Sequence, residues 1–384
     1  MRYRFAVVVL VVLSLVLASA MPALADASTA VQWLKSLQRQ DGGFGAQSSS
    51  LSETAEVIFA LAAARQDVAG LTANGNSPLD YLAANLAAAT STGEKAKVSM
   101  AVSAAGADAS NFGGTNLVAD IEQSQTAEGM YGGGADTLTG HVYAMLALAS
   151  AGRPIPRSAV DWLKGKQADS GAWAWSGSGA LEDVDSNTTA LALEALIAAG
   201  VANTDAAVQS GLQYLRGIQN ADGGFPYQNP SPWGTDTDAN STAVVIQALI
   251  ATGQDMAAWQ TADGKVPLDA LASLQRNDGA FAWQASVPDA NLFATAQAVP
   301  ALLGVAYPIA ISAVSEEAAP AAAETVVAPA STAEVQAEVA TPEAAATPAQ
   351  VLPETGGASP TLPLVLAGLA LIAGGVTLQR KLTA

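Results

Sequence analysis

The chain has 384 residues and a formal net charge of −18, with 34 Asp and Glu against 16 Lys and Arg, which argues against a polyanionic nucleic-acid partner. It has no Cys and a single His, so there is no disulfide framework, no thiol nucleophile and no thiolate-bound metal. At the start, Arg2 and Arg4 precede an apolar stretch from Phe5 to Leu17, and Ala23-Leu24-Ala25 offers small residues for cleavage. Residues 1–25 therefore read as a secretory signal peptide.

The body of the chain, residues 27–310, repeats itself. Gln38-Arg-Gln-Asp-Gly-Gly-Phe44 recurs as Gln219-Asn-Ala-Asp-Gly-Gly-Phe225 and Gln275-Arg-Asn-Asp-Gly-Ala-Phe281. Looser copies are Gln167-Ala-Asp-Ser-Gly-Ala-Trp173 and Gln125-Thr-Ala-Glu-Gly-Met-Tyr131. An amphipathic stretch precedes most copies, and an apolar stretch rich in small residues follows each one. A sixth unit, Pro78–Ala89 then Lys95–Ala105, fits between the first and second loops with its Gly motif worn away. A period in the forties means stacked helix pairs. The Asp-Gly or Ser-Gly pair reverses the chain, and the aromatic fills the gap between helices. The second helices, nearly free of charge, must be buried on most sides, while the first helices carry Lys, Arg and Gln and face water. The expected fold is all-α: two concentric rings of six helix pairs, closed on themselves so that no end needs a cap.

From 311 to 351 the composition shifts to Ala, Pro, Glu, Thr and Val, which cannot bury enough apolar surface to order itself; it reads as a disordered stalk. Residues 352–384 hold Leu352-Pro353-Glu354-Thr355-Gly356, an apolar run over 362–378, and Arg380-Lys381. The apolar run, at about 1.5 Å per residue, is just long enough for a transmembrane helix with the basic pair on the cytoplasmic side.

Two resemblances follow from these motifs. The tripartite tail resembles the sorting signal of sortase substrates. That resemblance implies cleavage between Thr355 and Gly356, sortase and cell-wall peptidoglycan as partners, and a location on the cell surface. The Gln-x-x-Asp-Gly-x-aromatic repeat resembles the terpene cyclase and protein prenyltransferase superfamily, with its α6/α6 toroid, to which complement-type thioester domains and cobalamin carriers also belong. Protein prenyltransferases need zinc held by Asp, Cys and His, and thioester domains need a Cys; the missing Cys excludes both.

Class II terpene cyclases, by the same resemblance, carry Asp-x-Asp-Asp-Thr-Ala at the start of an inner helix, where the middle Asp protonates an alkene or epoxide. Here Asp183-Val-Asp185-Ser-Asn187-Thr-Thr189-Ala190 and Asp236-Thr-Asp238-Ala-Asn240-Ser-Thr242-Ala243 occupy that place. Aligned on Thr-Ala, the acid becomes Asn187 or Asn240, and an amide is no acid. Sliding the register makes Asp185 or Asp238 the donor. Asn187, Asn240 and Asn291, each two residues after an Asp, also suit helix capping.

Two Asp-x-Asp-x-Asn copies at the ends of parallel helices should gather on one rim. Asp183, Asp185, Asn187, Asp236, Asp238 and Asn240, with Trp175, Trp233 and Tyr227 beside them, form a candidate ligand rim for a small molecule, a glycan or a protein. A calcium site from Asp183, Asp185, Asn187 and Glu194 is a weaker candidate. His141, early in an apolar helix, reads as a buried core residue. The sequence thus suggests an exported, wall-anchored surface protein with a non-catalytic binding toroid and no resident cofactor. The alternatives are a class II terpene cyclase-like enzyme and a corrinoid-binding surface protein.

Overall fold

The computed structural model describes residues 25–133, 136–232 and 234–309. The signal peptide, the stalk, the Leu352–Gly356 pentapeptide, the apolar run 362–378 and Trp233 lie outside the described residues.

Helices form where the sequence alternates capped, amphipathic outer segments with apolar inner ones. In chain order they are α1 (Ala27–Ser36), α2 (Leu51–Ala63), α3 (Pro78–Asn85), α4 (Thr92–Ala104), α5 (Leu117–Gln123), α6 (Leu138–Ser150), α7 (Arg157–Lys164), α8 (Ser186–Ala198), α9 (Ala206–Ile218), α10 (Ala239–Ala251), α11 (Pro267–Ser273) and α12 (Leu292–Leu302). Side-chain caps start most of them. Ser77 and Ser91 form full capping boxes with Asp80 and Glu94, which satisfies orphan amides at both ends of each reciprocal pair.

Even-numbered helices are the inner ring. Each packs on its two even neighbours, and α12 returns to pack on α2 and α1, so six pairs close as expected. The worn second unit is α3 with α4. Two antiparallel hairpins add a little strand to this helical fold. β1 (Trp173–Ala174) pairs with β2 (Val184–Asp185), and β3 (Phe281–Gln284) pairs with β4 (Val287–Asn291). Their registers set Trp173 opposite Asp185 and Phe281 opposite Asn291, tying each plugging aromatic to the residue that caps the next inner helix.

The repeated loop acts as a clasp between successive units. The Gln amide donates to its own loop carbonyl and to a carbonyl of the next unit: Gln167 to Gly171 and to Ala207 of α9, and Gln219 to Gly223 and to Trp259, just ahead of α11. In the last copy, Gln275 donates to Gly279 and to Asp26 at the head of α1, and accepts from the Asp26 amide at 2.7 Å. The loop glycines sit at positive φ against the next outer helix. A Cβ on Gly223 would stand 2.6 Å from the Val266 carbonyl oxygen, and one on Gly279 would stand 2.6 Å from that of Thr29. The aromatics Phe44, Tyr131, Trp173, Phe225 and Phe281 are fully buried. Four of their amides donate to a Thr hydroxyl on the fourth residue of the following inner helix: Thr54, Thr189, Thr242 and Thr295.

One expectation is corrected. Among the described residues no helix is long and apolar enough to cross a membrane. The longest helices have 13 residues, about 20 Å of rise, and their apolar surface is taken up by ring packing. A membrane partner reached through a C-terminal helix has no support in the described structure.

Candidate active site

The inner helices run parallel, so their second, sixth and ninth residues share one face. Several contacts show that this face lines the lumen. At the second level stand Ser52, Asn187, Asn240 and Phe293, and at the sixth Glu56, Lys97, Tyr143 and Gln297. At the ninth stand Phe59, Glu194 and Gln247.

Lys97 Nζ lies 2.8 Å from Glu56 Oε1 and donates to Ser52 Oγ at 2.8 Å. It also faces the rings of Tyr143 and Phe293, 5.7 and 5.8 Å from their centroids. Phe293 belongs to α12 and Lys97 to α4, on either side of α2, so this contact crosses the lumen-facing side of α2. Asn240 donates to Gln297 Oε1 at 2.9 Å. Below them, Glu194 is fully buried, burial pushes its carboxyl well above the usual range, and its Oε1 accepts from the Tyr307 amide at 3.1 Å.

At the N-terminal mouth, Asp185 and Asp238 are the side-chain caps of α8 and α10, accepting from Thr188 and Ser241. Both carboxyls are completely enclosed, with 0% and 1% of their surface exposed. Burial raises each from its ordinary 3.8 to about 7, against the opposing pull of the cap hydrogen bonds. Tyr227 joins the pair: its hydroxyl acts on Asp185 and its amide on Asp238. Burial first, then the Asp185 charge, pushes the Tyr227 hydroxyl far up.

The two copies differ in one respect. Asp238 Oδ2 accepts from Ser241 Oγ at 2.9 Å. Asp185 Oδ2 and Thr188 Oγ1, the corresponding atoms, make no hydrogen bond of full geometry. The first copy therefore holds this carboxyl oxygen less tightly, with the Thr188 and Tyr227 hydroxyls beside it.

The sequence-derived rim is assembled only in part. Asp185, Asp238 and Tyr227 come together. Asp183 accepts from Ser178 Oγ, and Asp236 is exposed. Trp175 is exposed on its hairpin. Asn187 and Asn240 sit in the first turn rather than at the cap, which the Asp residues fill; Asn291 does cap α12. Among the described residues no group of His, Asp or Glu could hold a metal ion, and Glu194 is engaged with Tyr307 instead of Asp183 and Asp185. His141 replaces the clasp Thr in the third unit: its Nδ1 accepts from the Tyr131 amide at 2.9 Å and its Nε2 faces the Ala159 carbonyl at 3.2 Å. Burial lowers it to about 4, so it is neutral.

The lumen residues Glu56, Lys97, Gln297 and Tyr307 were missed from the sequence. Their signal was available for the first three: lone polar residues at equal positions of otherwise apolar helices.

Residues 84–296, more than half the chain, match the family described as the squalene-hopene cyclase C-terminal domain, and residues 3–86 match the prenyltransferase alpha-alpha toroid domain. The chain belongs to the squalene-hopene cyclase C-terminal domain family. No curated protein matches it. Among solved structures, the type II terpene cyclase MstE from Scytonema is 16% identical, with a TM-score of 0.51 over 72% of this chain and 96% of that one. A variant of that enzyme in complex with its substrate geranylgeranyl dihydroxybenzoate is 16% identical, with a TM-score of 0.50 over 72% of this chain and 95% of that one. A protein from Actinoplanes is 17% identical, with a TM-score of 0.52 over 73% of this chain and 99% of that one. At these identities the likeness establishes the toroid.

These findings correct the reading of the toroid as a non-catalytic binding module. The family is a cyclase domain, and the buried acids at the mouth are protonatable near neutrality rather than a crowded charged rim. The corrinoid alternative gains nothing from the comparisons.

Proposed function

We propose that the protein is a proton-initiated cyclase of the class II terpene type, with Asp185 as the proton donor. The observation that carries this reading is the enclosed Asp185 carboxyl, held near 7 by burial, with one oxygen that makes no hydrogen bond of full geometry. A general acid works best when its pKa lies near the operating pH, and an enclosed site keeps a carboxylic acid neutral so that it can donate. Of the two registers in which the family motif fits, only the one ending on Asp185 offers a proton, since Asn187 is an amide.

The step balances as an isomerisation. The Asp185 O–H bond breaks and its proton goes to an epoxide oxygen or alkene carbon; the C–O or π bond opens, an internal double bond closes the ring, and a proton leaves at the end. An acid near 7 favours the more basic epoxide oxygen. The carboxylate left behind is costly in its dry site, which drives reprotonation. Aromatic faces in the lumen suit cationic intermediates; those of Tyr143 and Phe293 already meet the Lys97 ammonium, whose charge Glu56 balances.

The test is product formation from squalene, linear polyprenyl substrates and their terminal epoxides by residues 25–309. Asp185→Asn should lose at least about 100-fold in rate, the scale of a general acid, while Asn187→Ala keeps most of it. Full activity in Asp185→Asn would overturn the assignment.

A further inference from the structure

The chain does not leave the ring after α12. Residues following Leu302 turn back, and Tyr307 enters the lumen from the end opposite Asp185. Two contacts place it there: its amide donates to Glu194 on α8, and its ring meets Phe59 of α2 edge-on with centroids 5.1 Å apart; its hydroxyl lies near enough to Glu56 of α2 and Tyr143 of α6 to be influenced by both. Helices α2 and α8 stand opposite each other in the ring, so a residue that contacts both stands on the axis. Ile309, also buried, continues to a cleft of about 650 Å³ at the C-terminal ends of α4 and α6, beside Ser103, Ser150 and Arg153.

We propose that Tyr307 is the floor of the substrate chamber and sets the length of chain the lumen accepts. The inference rests on the cyclase reading for the kind of substrate, but not on the acid. With Tyr307 in place, depth ends at the layer of Glu56 and Lys97. An isoprenoid chain entering at the Asn187 and Asn240 mouth must stay short or fold on itself there. Replacing Tyr307 by a smaller residue removes the ring but keeps the backbone bond to Glu194, since that bond uses the amide. The deepened lumen would then be walled by Phe59 and Tyr143.

The experiment compares residues 25–309 as wild type, Tyr307→Ala, Tyr307→Leu and Tyr307→Phe. Binding of farnesol and of the longer geranylgeraniol is measured by tryptophan fluorescence and thermal shift, with circular dichroism confirming the fold. Tyr307→Ala should gain about ten-fold in preference for geranylgeraniol over farnesol, roughly 1.4 kcal/mol. Tyr307→Leu should gain less, and Tyr307→Phe, which keeps the ring, should match wild type. If Tyr307→Ala fails to fold, the Leu variant carries the comparison. An unchanged preference in folded Ala or Leu variants, or no binding of either alcohol, overturns the floor. Turnover separates the two readings. A wild-type enzyme that cyclises substrate while the variants keep its length preference removes the floor and leaves Asp185 standing. Longer-chain binding without turnover does the reverse.

Discussion

At the residue scale, the buried acids link function to stability. Asp185 and Asp238 rise from 3.8 to about 7 on folding, so between those values the native state keeps protons that the unfolded chain has released. Stability must fall as pH rises through that window, and above it the whole cost is present. His141 works the other way: lowered from 6.5 to about 4, it adds stability as pH rises between those values. Two carboxyls outweigh one imidazole, so melting temperature should fall between about pH 5 and about pH 8. Asp185→Asn with Asp238→Asn should flatten this fall, since Asn caps about as well as Asp, and should stabilise the domain at the upper pH by on the order of 1–3 kcal/mol per site. Equal pH dependence in both proteins, read from thermal melts, would remove the burial argument. His141→Thr should keep the Tyr131 amide bonded in the manner of the other units, and His141→Ala should cost more, by roughly 1 kcal/mol in urea titrations.

At the element scale, the clasp was half legible. Gln, Asp-Gly and the aromatic announced a turn and a plug, because turn chemistry is local. That the Gln reaches the next unit was not legible, since its partner is a backbone carbonyl some forty residues on and carbonyls leave no mark in a sequence. The same holds for the glycines. Gly223 carries positive φ and also a backbone neighbour, while Gly200 carries positive φ with nothing nearby. Gly200→Ala should therefore cost about 1 kcal/mol from backbone strain alone. Gly223→Ala should cost more, on the order of 2–4 kcal/mol, because the Val266 carbonyl must also move. Equal losses in denaturant midpoint would mean the clasp yields freely. Capping was legible in kind but shifted by two residues at Asn187 and Asn240, because Asp and Asn compete for the same role and only the backbone decides between them.

At the scale of the whole molecule, six pairs in a closed ring were readable from the period, whereas Tyr307 was not. It lies beyond the last repeat in a segment with no pattern, and only a lumen needing a floor gives it meaning. The seam between first and last units is the same clasp as everywhere else, with Gln275 on Asp26 and Gly279 on Thr29. A row of repeats frays from its ends, each unit held from one side only. A ring has no such ends: freeing any unit means parting two interfaces at once. The parent should therefore open in hydrogen exchange as one body, with inner-helix amides of α2 and α12 as slow as those of α8. Breaking the seam with Gln275→Ala and Gly279→Ala should leave the molecule folded but give it ends, so that protection declines stepwise from α8 toward α2 and α12. Graded protection already present in the parent would mean the seam bears no load. A single clasp thus decides whether this protein comes apart all together or one turn of the wheel at a time.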